Sequence, residues 1–532
     1  MNEWQKRPLF HSFALLLFHA MKTAAVIGAG IAGIAASIRL AVKGYAVDVF
    51  EANAYPGGKL STIVETTAAG HVYRFDAGPS LFTMPHLVDD LFRLAGRNPA
   101  DYFAYVRLDE TCRYFWDDGT RLTAWADLGR FGREVETVLN EPAEHLHWHL
   151  ADSAVKYSVT EKLFLHRSLH KLGTWFNRDA LRGYLNLPKL GVFSTMSQAN
   201  ERRFGHPKLV QLFNRYATYN GSDPYQTPAT LNIIPHLEYN IGAFFPKDGM
   251  VSITNSLVRL AEELGVRFHY NTRVMEIVTA EKRPGCRSVV GVVTEEQLVM
   301  DKTKPDVMRR SSPITHPVDL IVSNMDVVST FRKLLPLARQ PERILRQPKS
   351  SSGLIFYWGI RREFAELDLH SIFFSNDYRA EFDQLFGKGQ LADDPTIYLN
   401  ITSKHKPDDA PPGCENWFIL LNAPNNTGQD WDALIARARQ NVIRKLSHVL
   451  GVDVGALIET EAVLDPRSIE ARTSSSQGAL YGNSSNNRFA AFLRHPNFSR
   501  EFDNLYFVGG SVHPGGGIPL CLLSAKIATE LV

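Results

Sequence analysis

Residues 24–51 read AAVIGAGIAGIAASIRLAVKGYAVDVFE, and no other stretch of the chain restricts the fold as much. The apolar run Ala24–Ile27 predicts a buried strand of a parallel sheet. It leads directly into Gly28, Gly30 and Gly33, spaced G-x-G-x-x-G, and then into an Ala- and Ile-rich helical segment. The first glycine permits a tight turn, the second lets the backbone approach a pyrophosphate, and the third lets the helix sit against the strand. The helix N-terminus then turns free N–H groups and the positive end of its dipole toward phosphate. Val47–Phe50 predicts a second strand, and Glu51 stands at its end, 23 residues after Gly28. That is close to the ~20-residue offset at which a carboxylate accepts hydrogen bonds from a ribose. A glycine triplet alone is a weak signal. Strand, turn, helix, strand and terminal acid in register together predict a dinucleotide site, and an acid at position 51 narrows the ligand to NAD or FAD.

A second glycine turn lies near the other end of the chain. Leu505–Val508 is strand-like, five glycines fall between Gly509 and Gly517, and Ile518-Pro519 opens a helix toward Val532. A merely structural turn does not need that density of glycine; close approach of backbone to a ligand does. A nucleotide domain assembled from both ends of the chain favours the larger cofactor, FAD, because NAD is ordinarily held by one compact unit.

Between these turns, alternation from Arg113 to Trp125 around Asp118-Gly119 predicts a hairpin. Residues 127–217 are helical in pattern. His145, His147 and His149 fall there, but i, i+2, i+4 spacing does not bring three side chains to one helical face. Residues 251–264 predict an amphipathic helix ended by Gly265, with strands at Val266–Tyr270 and Asp319–Asn324. The polar stretch 301–317 reads as a loop, and 431–450 as a long helix. Tyr55-Pro56-Gly57-Gly58-Lys59 forms a further glycine turn.

The fold class that follows is α/β: a Rossmann-like FAD-binding domain, a mixed α+β substrate-binding domain, and a helical subdomain, which the resemblance given below implies is membrane-associating. The expected division is an extension outside the folded unit (1–20), FAD-binding segments at 21–112, 251–330 and 466–532, a substrate-binding and helical region at 113–250, and a second substrate-binding segment at 331–465. Lys and Arg total 58 against 56 Asp and Glu, which gives no electrostatic case for nucleic acid. The four cysteines, Cys112, Cys286, Cys414 and Cys521, have neither metal-ligand nor redox-pair spacing, so no metal site and a reducing compartment are expected. No run of about 20 apolar residues predicts a membrane span.

The segments VIGAGIAGIAASIRLA, FEANAYPGGKLST, FDAGPSLFTMP, FFPKDGM, VSNMDV and YFVGGSVHPGGGIPLCLLSAK resemble, in order, the bacterial carotenoid (phytoene-type) desaturases. These belong to the wider FAD-dependent family that includes amine oxidases. RYATYNGSDPYQTPATLNIIPHLE and HSIFFSNDY are most similar to the branch acting on 1-hydroxycarotenoids, the 3,4-desaturases. The resemblance implies non-covalent FAD and the introduction of a double bond into an acyclic carotenoid by hydride transfer to the flavin. It implies that Gly28, Gly30, Gly33 and Glu51 hold the ADP half, with Gly57, Gly58 and Lys59 beside the pyrophosphate and Val274 at the adenine. Gly509, Gly510, Gly517, Ile518 and Pro519 would face the ribityl chain and the isoalloxazine. Ser37 stands where many flavoproteins carry Gly or Ala. A carotenoid substrate further implies monotopic contact with the inner face of the cell membrane, with oxygen or a quinone as electron acceptor. Arg215, His236, Asp248 and His513 are polar residues near the expected pocket, and none is assigned as a catalytic base. A carotenoid isomerase, another amine-oxidase-type flavoprotein and a non-catalytic lipid carrier are the alternatives.

Overall fold

A computed structural model describes residues 21–532, apart from 187–189, 284–285, 296–297, 302–303, 311–312, 488 and 491–493. The expected extension, 1–20, therefore lies outside the described residues. Five strands form a parallel sheet in the order Leu505–Phe507, Leu320–Ser323, Thr23–Ile27, Ala46–Phe50 and Arg267–His269. The period of two sends alternate side chains of the central strand into two different cores. Ala24 and Val26 face the helices Ile31–Val42, Val251–Glu263 and Ile518–Glu530, whereas Ala25 and Ile27 pack with Val274, Ile277 and Phe331 on the other side. Helix Ile31–Val42 is buried over most of its surface, which is why its sequence is apolar all round rather than striped.

The second layer is a seven-stranded sheet in the order Ile458–Leu464, Ser352–Ile360, Glu415–Ala423, Ile397–Ile401, His370–Phe373, Glu110–Phe115 and Arg121–Trp125. All pairs are antiparallel except His370–Phe373 with Glu110–Phe115. Leu354, Phe356 and Trp358 point to one face with Trp417, Ile419 and Leu421, where helix Trp431–Leu450 covers them. That helix starts at Asp430, whose side chain accepts the Ala433 N–H at 3.2 Å, and it buries Trp431, Ala438, Val442, Leu446 and Leu450. At ~1.5–3 kcal/mol for each large side chain buried, this face holds the layer together. The opposite face of the same strands is turned toward the first sheet.

The described residues between 128 and 214 fold largely as helices, several of them around Phe131, Leu146, Leu150, Phe204 and Phe213. The three histidines point apart. His145 meets Glu141 at 2.6 Å, His147 meets the Leu128 carbonyl at 3.2 Å, and His149 is buried against Phe204 and Phe213. The expected loop at 301–317 is corrected: strands Lys304–Arg310 and Ile314–Pro317 form there, the latter pairing with Gly291–Thr294. Ile314–Pro317 is an edge strand with exposed side chains, so it carries no hydrophobic alternation to read.

Asp76, at the end of strand Val72–Asp76, joins the two layers by accepting the Met250 N–H at 3.1 Å, just before helix Val251–Glu263. Burial pushes its carboxyl from 3.8 up to about 7, against the pull of the Met250 N–H. The folded state thus binds this proton more tightly than the unfolded chain. The stability it contributes is complete below about pH 4 and is lost as pH rises through about 7. Asp76→Asn removes that dependence. The unfolding free energy of the variant relative to wild type should rise by up to about 4 kcal/mol between about pH 4 and pH 8 in denaturant titrations. A difference that stays constant with pH would refute this account.

Candidate active site

At the C-terminal edge of the parallel sheet, Gly28 (φ +94°) turns the chain out of its strand. A Cβ on Gly33 would lie 2.1 Å from the Gly28 carbonyl oxygen, so the helix reaches the turn only because position 33 has no side chain. Gly30 precedes the first helical residue, and no side chain caps the helix start. Glu51 is buried at the mouth of the turn. One carboxylate oxygen accepts the Ala29 N–H at 2.8 Å, and the other accepts the N–H and side-chain amide of Asn53 at 2.9 and 2.8 Å. The Gly57 N–H donates to the Ala29 carbonyl at 2.8 Å, which lays the Gly57-Gly58-Lys59 turn alongside the first.

The C-terminal turn arrives on the same edge. The Gly509 N–H donates to Ser524 Oγ at 3.1 Å, and helix Ile518–Glu530 begins after Gly517, again without a side-chain cap. Nothing lies within 4 Å of where a Cβ on Gly517 would be, so that position opens onto empty space. Between the two turns stands Asn324, which the sequence reading did not nominate. Its amide donates to the Gly28 carbonyl at 3.2 Å. A Cβ on Gly30 would lie 2.7 Å from Asn324 Nδ2, and one on Gly509 would lie 2.8 Å from Oδ1. Its sequence signals were its place at the end of a buried strand and within the segment VSNMDV; that this strand lies between the two glycine-turn strands is a fact of topology.

Gly28, Gly30, Glu51, Gly57, Gly58, Lys59, Val274, Gly509, Gly510, Gly517, Ile518 and Pro519 all line one cavity of about 500 Å³, and Gly33 lies behind it. Lys59 directs its ammonium onto the carbonyls of Ala479 and Leu480, at 3.1 and 2.9 Å, and burial pushes its pKa down to about 8. Arg494, also not nominated, is buried behind the C-terminal turn. Its guanidinium donates to the carbonyls of Tyr481 and Gly510 at 3.3 Å each and of Asn483 at 3.1 Å. Burial pushes its pKa down to about 10. These two cations fasten backbone segments together rather than standing free. Of the four polar residues noted near the expected pocket, Arg215 lines the cavity, while His236, Asp248 and His513 do not.

Beyond the glycine turns the cavity is floored by the seven-stranded sheet. Leu464, Ile355, Leu420, Tyr398 and Ile372 are cross-strand neighbours on five successive strands, and on the sixth Cys112 lines the cavity beside Tyr114, the register partner of Ile372. At ~4.8 Å between strands the six-strand floor is roughly 24 Å across. Two helix starts without side-chain caps, a buried carboxylate and a glycine opening onto empty space suit a dinucleotide, and a long apolar floor continues from them.

Residues 31–532 match the family described as flavin containing amine oxidoreductase. A 1-hydroxycarotenoid 3,4-desaturase from Flavobacterium sp. (strain P99-3) is 49% identical over 512 residues, covering 96% of this chain and 99% of the relative. A 4,4'-diapolycopene oxygenase from Methylomonas sp is 34% identical over 517 residues, with 95% and 97% covered. Among solved structures, cyclohexylamine oxidase from Brevibacterium oxydans IH-35A superimposes with a TM-score of 0.58 at 13% identity, over 96% of this chain and 98% of that one. At that identity the likeness is one of fold, and it bears out the α/β expectation. The chain belongs to the flavin-containing amine oxidoreductase family and is an oxidoreductase whose cofactor is FAD.

Proposed function

We propose that this protein is an FAD-dependent desaturase that removes two hydrogens from adjacent carbons of an acyclic, 1-hydroxylated carotenoid. The observation that carries this reading is the continuity of one cavity from the paired glycine turns onto the six-strand apolar floor. A rigid polyene matches a straight row of side chains crossing successive strands. The 1-hydroxycarotenoid 3,4-desaturase relative, similar over nearly its whole length, supports the same substrate class. Gly28, Gly30, Gly33 and Glu51 would hold the ADP half of FAD, Gly57, Gly58 and Lys59 the side of the pyrophosphate, and Val274 the adenine. Gly509, Gly510, Gly517, Ile518 and Pro519 would border the ring system. When bound, FAD supplies the acceptor for the two electrons that leave the carbon–carbon bond. The protein's own part is to align that bond and to exclude water. Asn324 holds the two turns at the separation this alignment needs.

The substrate is a bilayer solute, and the reading extends to docking on the inner face of the cell membrane, with oxygen or a membrane quinone as final acceptor. Among the described residues no helix is long and apolar enough to cross a membrane. Leu172, Phe176, Leu185 and Phe193 are instead 80%, 84%, 73% and 87% exposed, on and around the helix Arg178–Asn186. Lys162, Lys171 and Arg178 fall in or beside it, a combination suited to an anionic lipid surface.

Anaerobic mixing of the FAD-loaded protein with a 1-hydroxylated acyclic carotene should bleach the flavin absorbance and give a product lighter by two hydrogens. In a parallel aerated reaction, a product that has gained oxygen would favour the chemistry of the oxygenase relative, and one of unchanged mass an isomerase. Gly30→Val and Asn324→Leu should weaken FAD binding roughly tenfold or more, at ~1–3 kcal/mol for overpacking the turn; full flavin content in both variants would count against the site. Phe176→Asp combined with Phe193→Asp should cut co-sedimentation with anionic vesicles at least about tenfold, since each ring contributes ~1.5–3 kcal/mol when buried.

A further inference from the structure

The cavity is polar around Cys112, at one edge of its floor, which a hydrocarbon channel does not require. Arg215, Tyr219, Glu238, His370 and Tyr378 line it where strands Glu110–Phe115 and His370–Phe373 meet the helical layer. Arg215 is 8% exposed, His370 5% and Tyr378 6%. Arg215 donates to the Tyr219 hydroxyl at 3.1 Å, and that hydroxyl donates to Glu238 at 2.6 Å. The Tyr216 hydroxyl donates to the other oxygen of the same carboxylate at 2.9 Å. The guanidinium also lies over the rings of Tyr219, Tyr216 and Tyr114, at 5.0, 5.3 and 5.9 Å. On the floor, His370 Nδ1 meets the Tyr398 hydroxyl at 2.8 Å, and this meets Ser80 at 2.7 Å. Most of the polar atoms here are therefore paired. Arg215 Nε, His370 Nε2 and the Tyr378 hydroxyl, on three lining residues, and the Tyr114 hydroxyl behind them are buried without a hydrogen-bond partner among the described residues.

Buried polar atoms are almost always satisfied, so three lining orphans at one edge of one cavity call for a ligand group that meets them. One cation and one carboxylate make the cluster close to neutral, which suits an uncharged oxygen better than an acid or an amine. An alcohol both donates and accepts, and so can serve the guanidinium, the phenol and the imidazole together. We propose that Arg215, His370 and Tyr378, backed by Tyr219 and Glu238, bind the terminal hydroxyl of the polyene and so set which carbon–carbon bond is aligned for dehydrogenation. This rests on the desaturase reading above and deepens it: these are positioning and specificity residues. Fixing an oxygen at the end of the chain fixes the register of a rigid polyene on the sheet floor, where an apolar surface alone would let it slide.

The test compares flavin bleaching by a 1-hydroxylated acyclic carotene with bleaching by the same carotene lacking the hydroxyl. Because the site would leave its own buried groups unpaired with the second compound, the wild-type preference in kcat/KM should be roughly hundredfold or more. Tyr378→Phe deletes only an unpartnered hydroxyl and should retain FAD and its melting temperature while narrowing the preference about tenfold. Arg215→Met should narrow it further. Equal bleaching by both carotenes in the wild type, or a preference that neither variant moves, would overturn the inference and leave the desaturase reading standing. Failure of both carotenes to bleach the wild-type flavin would remove that reading and the inference with it.

Discussion

Parallel pairing of three strands from distant parts of the chain is the constraint on which the rest depends. Val26 is in register with Val322, and Val322 with Tyr506, so the strands they belong to end side by side. Gly28, Asn324 and Gly509 then emerge at one edge, which is where open α/β sheets bind ligands. Hydrogen bonding within the sheet sets the spacing, and Asn324 fills the gap between the turns. Its amide is tied to the Gly28 carbonyl, while its two polar atoms occupy the places that side chains on Gly30 and Gly509 would need. Two uncapped helix starts are thereby aimed into one space.

The seven-stranded sheet solves a different problem with the same period of two. Its strand Ser352–Ile360 is buried at every residue, so its sequence reads as an apolar run after Ser352. Leu354, Phe356 and Trp358 enter a dry core under helix Trp431–Leu450, whereas Ile355 belongs to the cavity floor. One sheet is thus core on one side and binding surface on the other. Composition does not distinguish the two faces, because both are apolar; only the position of the opposing layer does.

Buried charge does structural work around the site. Lys59 and Arg494 carry depressed pKa values because burial penalises their charged forms, yet each is directed at backbone carbonyls. Both bind together loops that are far apart in the chain: Lys59 to residues 479–480, Arg494 to the C-terminal turn. Arg215 differs. Its Nε, at the cavity end, has no hydrogen-bond partner among the described residues.

The two glycine turns, the acid at Glu51, the α/β class, the hairpin ending at Trp125 and the helix from Trp431 to Leu450 were legible in the sequence, because each rests on a local rule: a turn geometry only glycine adopts, a period, a cap. The strand Ile314–Pro317 was not, since an edge strand facing water carries no hydrophobic signature. Nor were Arg494, the place of Asn324 between the two turns, or the convergence of Arg215, His370 and Tyr378, although the segments VSNMDV, RYATYNGSDPYQTPATLNIIPHLE and HSIFFSNDY carry the family resemblance. Sequence does not show that convergence, because the partners lie on other strands and other layers. Local chemistry determined where a dinucleotide could be held. Tertiary packing alone decided what stands between the two turns, how far the floor extends and which polar groups close its end, because those depend on distances between segments that only the folded chain brings together.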